Sequence, residues 1–117
     1  MILTGKSAVV TGGGTGIGLA IARGLAAQGC QVAITGRRLS VLEAASESFG
    51  GLSVKMDVSD EASVVGGMQN IADRFGSIDI CVANAGIAEG QNIQNSAFGF
   101  WRNIMAINLD GAYLTIR

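Results

Sequence analysis

Val9-Val10-Thr11-Gly12-Gly13-Gly14-Thr15-Gly16-Ile17-Gly18 decides how this chain of 117 residues is read. The apolar run Ala8-Val9-Val10 halts at five glycines within positions 12–18. A helical pattern follows at once, placing Ile17, Ile21, Gly24, Leu25 and Gln28 on one predicted face. Strand, glycine turn and helix in succession aim backbone N–H groups and the positive end of a helix at an anion. Glycine suits such a turn because a Cβ would hold the anion away from the backbone, and tight turns often need positive φ.

The spacing is selective. The strict pattern Gly-x-Gly-x-x-Gly fails in every frame, since Ile17 or Leu19 falls where its last glycine belongs. The triphosphate loop fails too, because Leu19 follows Gly18 in place of lysine. What remains is Thr11-Gly12-x-x-x-Gly16-Ile17-Gly18, which taken alone also fits a turn with no ligand.

Composition narrows the classes. Apolar residues make up 49% and charged residues 15%, so the chain folds, and its length allows at most one domain. Eight basic and nine acidic side chains leave a net charge of −1 with no basic run, which argues against nucleic acid. No apolar stretch approaches the roughly 20 residues of a membrane span. The N-terminus enters the first strand too quickly for a signal peptide, and a cytoplasmic location is expected. With no histidine, His-based triads and His metal sites are excluded within this chain. Cys30 and Cys81 lack metal-ligand spacing and are expected to be buried thiols. No metal site is expected.

The rest of the chain alternates. Strands are predicted over 7–11, 31–35, 52–57 and 78–83, mostly apolar as parallel strands covered on both faces should be. Ser40 and Glu43 suggest a capping box for a helix turning Leu42, Ala45 and Phe49 inward. Ser59 is expected to cap the next helix, whose buried stripe is Val64, Met68, Ile71, Ala72 and Phe75, with Gly76 stopping it. A loop from Ala88 to Asn95 leads to a last helix starting near Ser96 or Ala97 and still running at Arg117. Its inward face is predicted as Trp101, Ile104 or Met105, Asn108 and Ala112. The implied fold is α/β, a Rossmann-type doubly wound parallel sheet with right-handed crossovers and strand order 3-2-1-4. It stops after the fourth strand and the helix that follows, with the outer edge of strand four open, so 1–117 reads as an incomplete domain.

Residues that carry chemistry gather at strand ends. In a dinucleotide fold, an acid about 20 positions past the glycines holds the ribose 2′-OH. Thr35-Gly36-Arg37-Arg38 stands there with no carboxylate, and arginine suits a 2′-phosphate instead. This favours NADP(H) over NAD(H), with Arg37 the leading candidate; two solvated arginines at a helix start are the alternative. Asp57 can accept from an adenine amino group while the Val58 N–H donates to the ring, or it is an ordinary turn aspartate. The Asn84 amide can bridge strand ends and Gly86 allows close approach, or the pair simply terminates a strand. Asn108 falls among apolar positions, where an amide needs partners and is most often merely satisfied.

Taken together, these strings resemble the short-chain dehydrogenase/reductase family. The matches are Thr11-Gly12-x-x-x-Gly16-Ile17-Gly18, Asp57-Val58, Asn84-Ala85-Gly86 and Asn108-Leu109-x-Gly111, in the family's order. The resemblance implies hydride transfer between a nicotinamide cofactor and a small carbonyl or alcohol substrate. It implies cofactor contacts at Gly12, Gly14, Thr15, Gly16, Ile17, Gly18, Arg37, Arg38, Asp57, Val58, Asn84, Ala85 and Gly86. Asn108 would correspond to the family's catalytic asparagine, which holds a water in a proton relay. Ala83 stands where the family often has a first asparagine.

The family's serine and Tyr-x-x-x-Lys pair are not found: Tyr113 is followed at +4 by Arg117, which never acts as a base. The 117 residues alone are therefore expected to be inactive, as the cofactor-binding half of the enzyme. Two other roles stay open, a non-catalytic nucleotide-binding module and a protein that pairs through its last helix, where the family often has a subunit interface.

Overall fold

A computed structural model describes residues 2–86 and 98–116. Strands β1 (Ser7–Thr11), β2 (Gln31–Gly36), β3 (Leu52–Lys55) and β4 (Ile80–Val82) form one parallel sheet in the order β3-β2-β1-β4. Helices α1 (Gly16–Ala27), α2 (Leu39–Glu47) and α3 (Glu61–Phe75) make the crossovers between them. The strand order expected from the alternation holds. β1 lies between β2 and β4 and is buried along its whole length.

Alternate residues of the central strands feed two layers. Ala8, Val10, Val32 and Ile34 pack with Ala22 of α1 and with Leu42 and Ala45 of α2. Val9, Ala33 and Val54 pack against Ile71 of α3 on the other face. A period-2 strand turns its neighbours to opposite faces, so one apolar run serves both layers. A third cluster, Met56, Val58, Val64 and Ile107, lies past the end of β3 and joins α3 to the last helical segment.

Several local expectations are corrected. On α1 the buried residues are Gly18 and Ala22, while Ile17 and Gln28 are exposed, so the inward face is rotated by one position. Gly18 has no side chain and lets the helix lie closest to the sheet along that line. α2 starts at Leu39 with Arg38 as its N-cap and no side-chain cap, so Ser40 lies inside the helix and no capping box forms. Phe49 lies beyond the end of α2 but still packs on the first core layer. Asp60 rather than Ser59 caps α3, its Oδ1 accepting from the Ala62 N–H at 3.1 Å. Ser59 donates instead to the Asp57 carboxylate. Of the expected stripe, Val64 and Ile71 are buried and Met68, Ala72 and Phe75 half-buried, and Gly76 closes α3 in the left-handed region.

β3 and β4 are shorter than expected. β4 pairs in register only from Ala8↔Ile80 to Val10↔Val82. Having one neighbour in the sheet, β4 is only partly covered, and Cys81 is exposed rather than buried. Cys30 is the buried thiol, and burial pushes its pKa up.

The last segment is not one regular helix. It comprises α4 (Phe98–Met105), a π turn (Ala106–Asp110) and α5 (Gly111–Ile116). The wider π turn takes in an extra residue and rotates the face that follows. The buried positions are Ile107, Gly111 and Thr115, while Trp101 and Asn108 are exposed, which corrects the expected inward face. The expected loop at 88–95 and helix start at 96–97 lie outside the described residues. Among those described, no helix is long and apolar enough to cross a membrane.

One core group is out of balance. Thr35 is fully buried, and its Oγ1 has no hydrogen-bond partner among the described residues. An orphaned buried hydroxyl costs about 1–3 kcal/mol. Thr35→Val keeps the shape and removes the orphan, so it is expected to stabilise the protein by about 1 kcal/mol, read from the urea midpoint.

Candidate functional site: a groove at the strand ends

A groove of about 570 Å³ opens along the C-terminal ends of β1, β2 and β3. It is lined by the glycine turn, by Thr35 to Arg38 after β2, by Met56 to Val58 after β3, and by Ala85 and Gly86 after β4. Ligands of open α/β sheets bind outside the carboxyl ends of the strands, where strand order reverses. Here that switch lies between the crossovers on either side of β1, which has β2 on one side and β4 on the other.

The glycine turn is held from two sides. The Gly12 N–H donates to the Thr35 carbonyl at 2.9 Å, tying the turn to β2. The Asn84 Nδ2 donates to the carbonyls of Thr11 and Gly12, both at 3.2 Å, tying it to the end of β4. Thr11 Oγ1 accepts in return from the N–H groups of Asn84 and Ala85 at 3.0 Å each. The bridging role expected for Asn84 is thus realised, although its side chain supports the groove rather than lining it.

Gly12 and Gly16 have φ of 65° and 55°, a region that other residues enter at a cost. α1 begins at Gly16 with no side chain capping it and no acid in its first turn. Its leading N–H groups have no partner within the helix, and no nearby carboxylate of the helix offsets their positive end. Those are the requirements for holding an anionic group, and Gly14 and Thr15 form the adjoining wall.

At the other end, Arg37 and Arg38 are exposed at the rim beside Asp57. Asp57 Oδ1 accepts from the Ser59 hydroxyl at 2.7 Å and from the Ser59 N–H at 3.0 Å. The Ser63 hydroxyl accepts from the Asp57 N–H at 2.8 Å. The Ser59 hydroxyl bond, then its backbone bond, holds the Asp57 carboxyl below its ordinary value, and the charge of Arg37 adds to the effect. Ser59 therefore fixes the carboxylate in place and keeps it ionised.

The folded form binds this proton less tightly than the unfolded chain does. The stability that results is complete above the unfolded value and is lost as pH falls through the folded one. Ser59→Ala is expected to raise the Asp57 pKa and to destabilise the protein at neutral pH. The difference from the parent should vanish in strong acid, where Asp57 is protonated in both. Carboxyl NMR titration and denaturation at the two pH values check this.

Of the residues singled out in the sequence, Gly12, Gly14, Thr15, Arg37, Arg38, Asp57, Val58, Ala85 and Gly86 line one groove. Gly16, Gly18 and Asn84 build its frame without lining it, and the exposed Ile17 does not line it either. Asn108 stands at one end, its Oδ1 3.1 Å from where a Cβ on Gly86 would be. Thr35, Gly36, Val41, Leu42, Met56 and Ile107 complete the wall and were not assigned from sequence as site residues. Leu42 had signalled only core packing, and Leu42, Met56 and Ile107 do belong to the core as well.

The family profile described as short chain dehydrogenase matches residues 6–117. The chain belongs to the short-chain dehydrogenase/reductase family. It is 40% identical to the NADP-dependent (R)-specific alcohol dehydrogenase of Lentilactobacillus kefiri, over 98% of this chain and 47% of that enzyme. Among solved structures it superposes with a TM-score of 0.93 on a short-chain type dehydrogenase/reductase from Mycobacterium marinum, at 34% identity. That match covers 97% of this chain and 48% of the other. The same score and identity hold for the 3-ketoacyl-(acyl-carrier-protein) reductase of Brucella melitensis complexed with NADH, with 98% and 48% covered. This short-chain dehydrogenase/reductase chain spans about half the length of the curated relatives it matches.

Proposed function

We propose that this chain is the cofactor-holding half of an NADP(H)-dependent oxidoreductase acting on a small carbonyl or alcohol. The observation that carries the reading is the convergence of the glycine turn, Arg37, Arg38, Asp57 and Val58 on a single groove. Open space lies where a Cβ on Gly16 would stand, and no side chain caps the start of α1, so a diphosphate can reach the backbone N–H groups there and the residues present fit the cofactor.

In this reading Gly12, Gly14, Thr15, Gly16, Ile17 and Gly18 hold the diphosphate and the ribose next to it. Arg37, with Arg38, pairs with a 2′-phosphate through charge-assisted bonds. Asp57 and the Val58 N–H hold adenine, with Ser59 fixing the carboxylate as an acceptor. Asn84 and Ala85 keep the ends of β1 and β4 together, and Gly86 lets the ligand approach the backbone. The bound nicotinamide supplies hydride transfer. Asn108 carries an amide beside Gly86 that can hold a water for proton delivery. Tyr113 is not the proton donor, because no lysine follows it at +4.

Calorimetric titration with NADPH and with NADH tests the assignment. Binding with NADPH preferred is expected, and indifference to both cofactors at millimolar concentration would sink it. Binding without turnover of any carbonyl by the whole protein would instead point to a non-catalytic nucleotide module. Trp101, Leu109 and Tyr113 give the last segment exposed apolar side chains, which favours pairing through it as a second role. A species that stays monomeric in sedimentation at rising concentration counts against that role.

A further inference from the structure

The motif Asn108-Leu109-x-Gly111 carries a glycine whose place in the fold is tightly constrained. Gly111 is buried, and a Cβ on it would lie 2.6 Å from Val58 Cγ2, 3.0 Å from Val58 Cβ and 3.3 Å from the Val58 carbonyl oxygen. α5 thus rests on the residue that follows Asp57. Ile107, in the π turn, packs with Met56, Val58 and Val64 and forms part of the groove wall. Asn108 comes next, beside Gly86 at the other end of the groove. The π turn therefore holds Ile107 on one wall and Asn108 near another.

We infer that the Gly111–Val58 contact makes Gly111 a positioning residue for Asn108, setting how far its amide stands from Gly86. The inference rests on reading the groove as a dinucleotide site and Asn108 as its proton-relay asparagine. Close-packed interiors transmit a displacement instead of absorbing it. A Cβ at 111 would lift α5 from Val58, and the π turn would carry that shift to Asn108. Misplacing a group near the chemistry by about 1 Å can cost about a hundredfold in rate.

The test follows the Asn108 side-chain amide resonances in nucleotide-free protein. Gly111→Ala is expected to shift them, and adding Val58→Ala, which removes the methyl at 2.6 Å but leaves the Val58 Cβ and carbonyl contacts, is expected to bring them part of the way back. Unmoved resonances in folded Gly111→Ala overturn the inference, as does a shift that Val58→Ala does not reduce. If Gly111→Ala does not fold, Val58→Leu loads the same contact from the other side, and the same reading applies: a shift at Asn108 supports the inference and none refutes it. Titration with adenosine 2′,5′-bisphosphate separates the two assignments. Arg37 and Val58 resonances that ignore both it and ADP refute the dinucleotide site, while the nucleotide-free comparison still decides the part played by Gly111.

Discussion

Gly18→Ala is expected to weaken NADPH binding about a hundredfold, close to 3 kcal/mol. The new Cβ would run into the Gly12 carbonyl oxygen and meet Asn84 Nδ2 at 2.5 Å. Neither obstacle is a loose chain end. Gly12 is tied to β2 through the Thr35 carbonyl, and Asn84 is tied to the carbonyls of Thr11 and Gly12. Either the turn opens or α1 backs away, and both outcomes misalign the backbone N–H groups proposed to hold the diphosphate.

Overpacking of this kind also costs about 1–3 kcal/mol of stability, so the melting temperature should fall by several degrees. Calorimetry well below that temperature isolates the effect on binding. Gly24→Ala is the control. It lies in the same helix with open space around its would-be Cβ, so it should leave binding unchanged and gain up to about 1 kcal/mol in helix propensity. Wild-type affinity in Gly18→Ala would remove the glycine turn from the site.

Gly36→Asp is expected to reverse the cofactor preference, lowering affinity for NADPH and raising it for NADH. Gly36 ends β2, in register with Lys55, and lines the groove beside Arg37. A Cβ there would meet only Leu42 side-chain atoms, the nearest at 3.3 Å, and that flexible side chain can give way. A carboxylate at this place accepts from a ribose 2′-OH but repels a 2′-phosphate. At about 5 Å and an effective dielectric near 20 the repulsion is roughly 3 kcal/mol, about two orders of magnitude in affinity.

Arg37→Ala supplies the complementary result, a loss confined to NADPH. Parallel titrations with both cofactors read out each variant, and an unchanged NADPH-to-NADH ratio in Gly36→Asp would place the 2′-position elsewhere. The relatives leave the point open, since one is named for NADP dependence and another structure holds NADH.

Most of the groove was readable because its parts are local. The turn at positions 12–18 and the ends of β2, β3 and β4 are marked by glycines, arginines and Asp57 adjoining apolar runs, and strand order brings those ends to one edge. The misreadings have separate causes. Ser59 looked like a cap, but its hydroxyl is committed to Asp57, and Asp60 takes the cap instead. Asn108 looked buried because a regular helical period was carried through 98–116, whereas the π turn shifts the face at Ala106. Cys81 looked buried because an apolar strand was assumed to be covered on both sides.

The sequence by itself determined the alternation of strands and helices, the parallel order 3-2-1-4 and the phosphate-type turn. Those follow from apolar period and glycine spacing, which act between residues near one another in the chain. Only the tertiary structure decided that Met56, Val58 and Ile107 share a wall, that the Thr35 hydroxyl has no partner among the described residues, and that Gly111 bears on Val58. Each depends on how closely distant segments approach, and that distance is set by packing across the whole sheet.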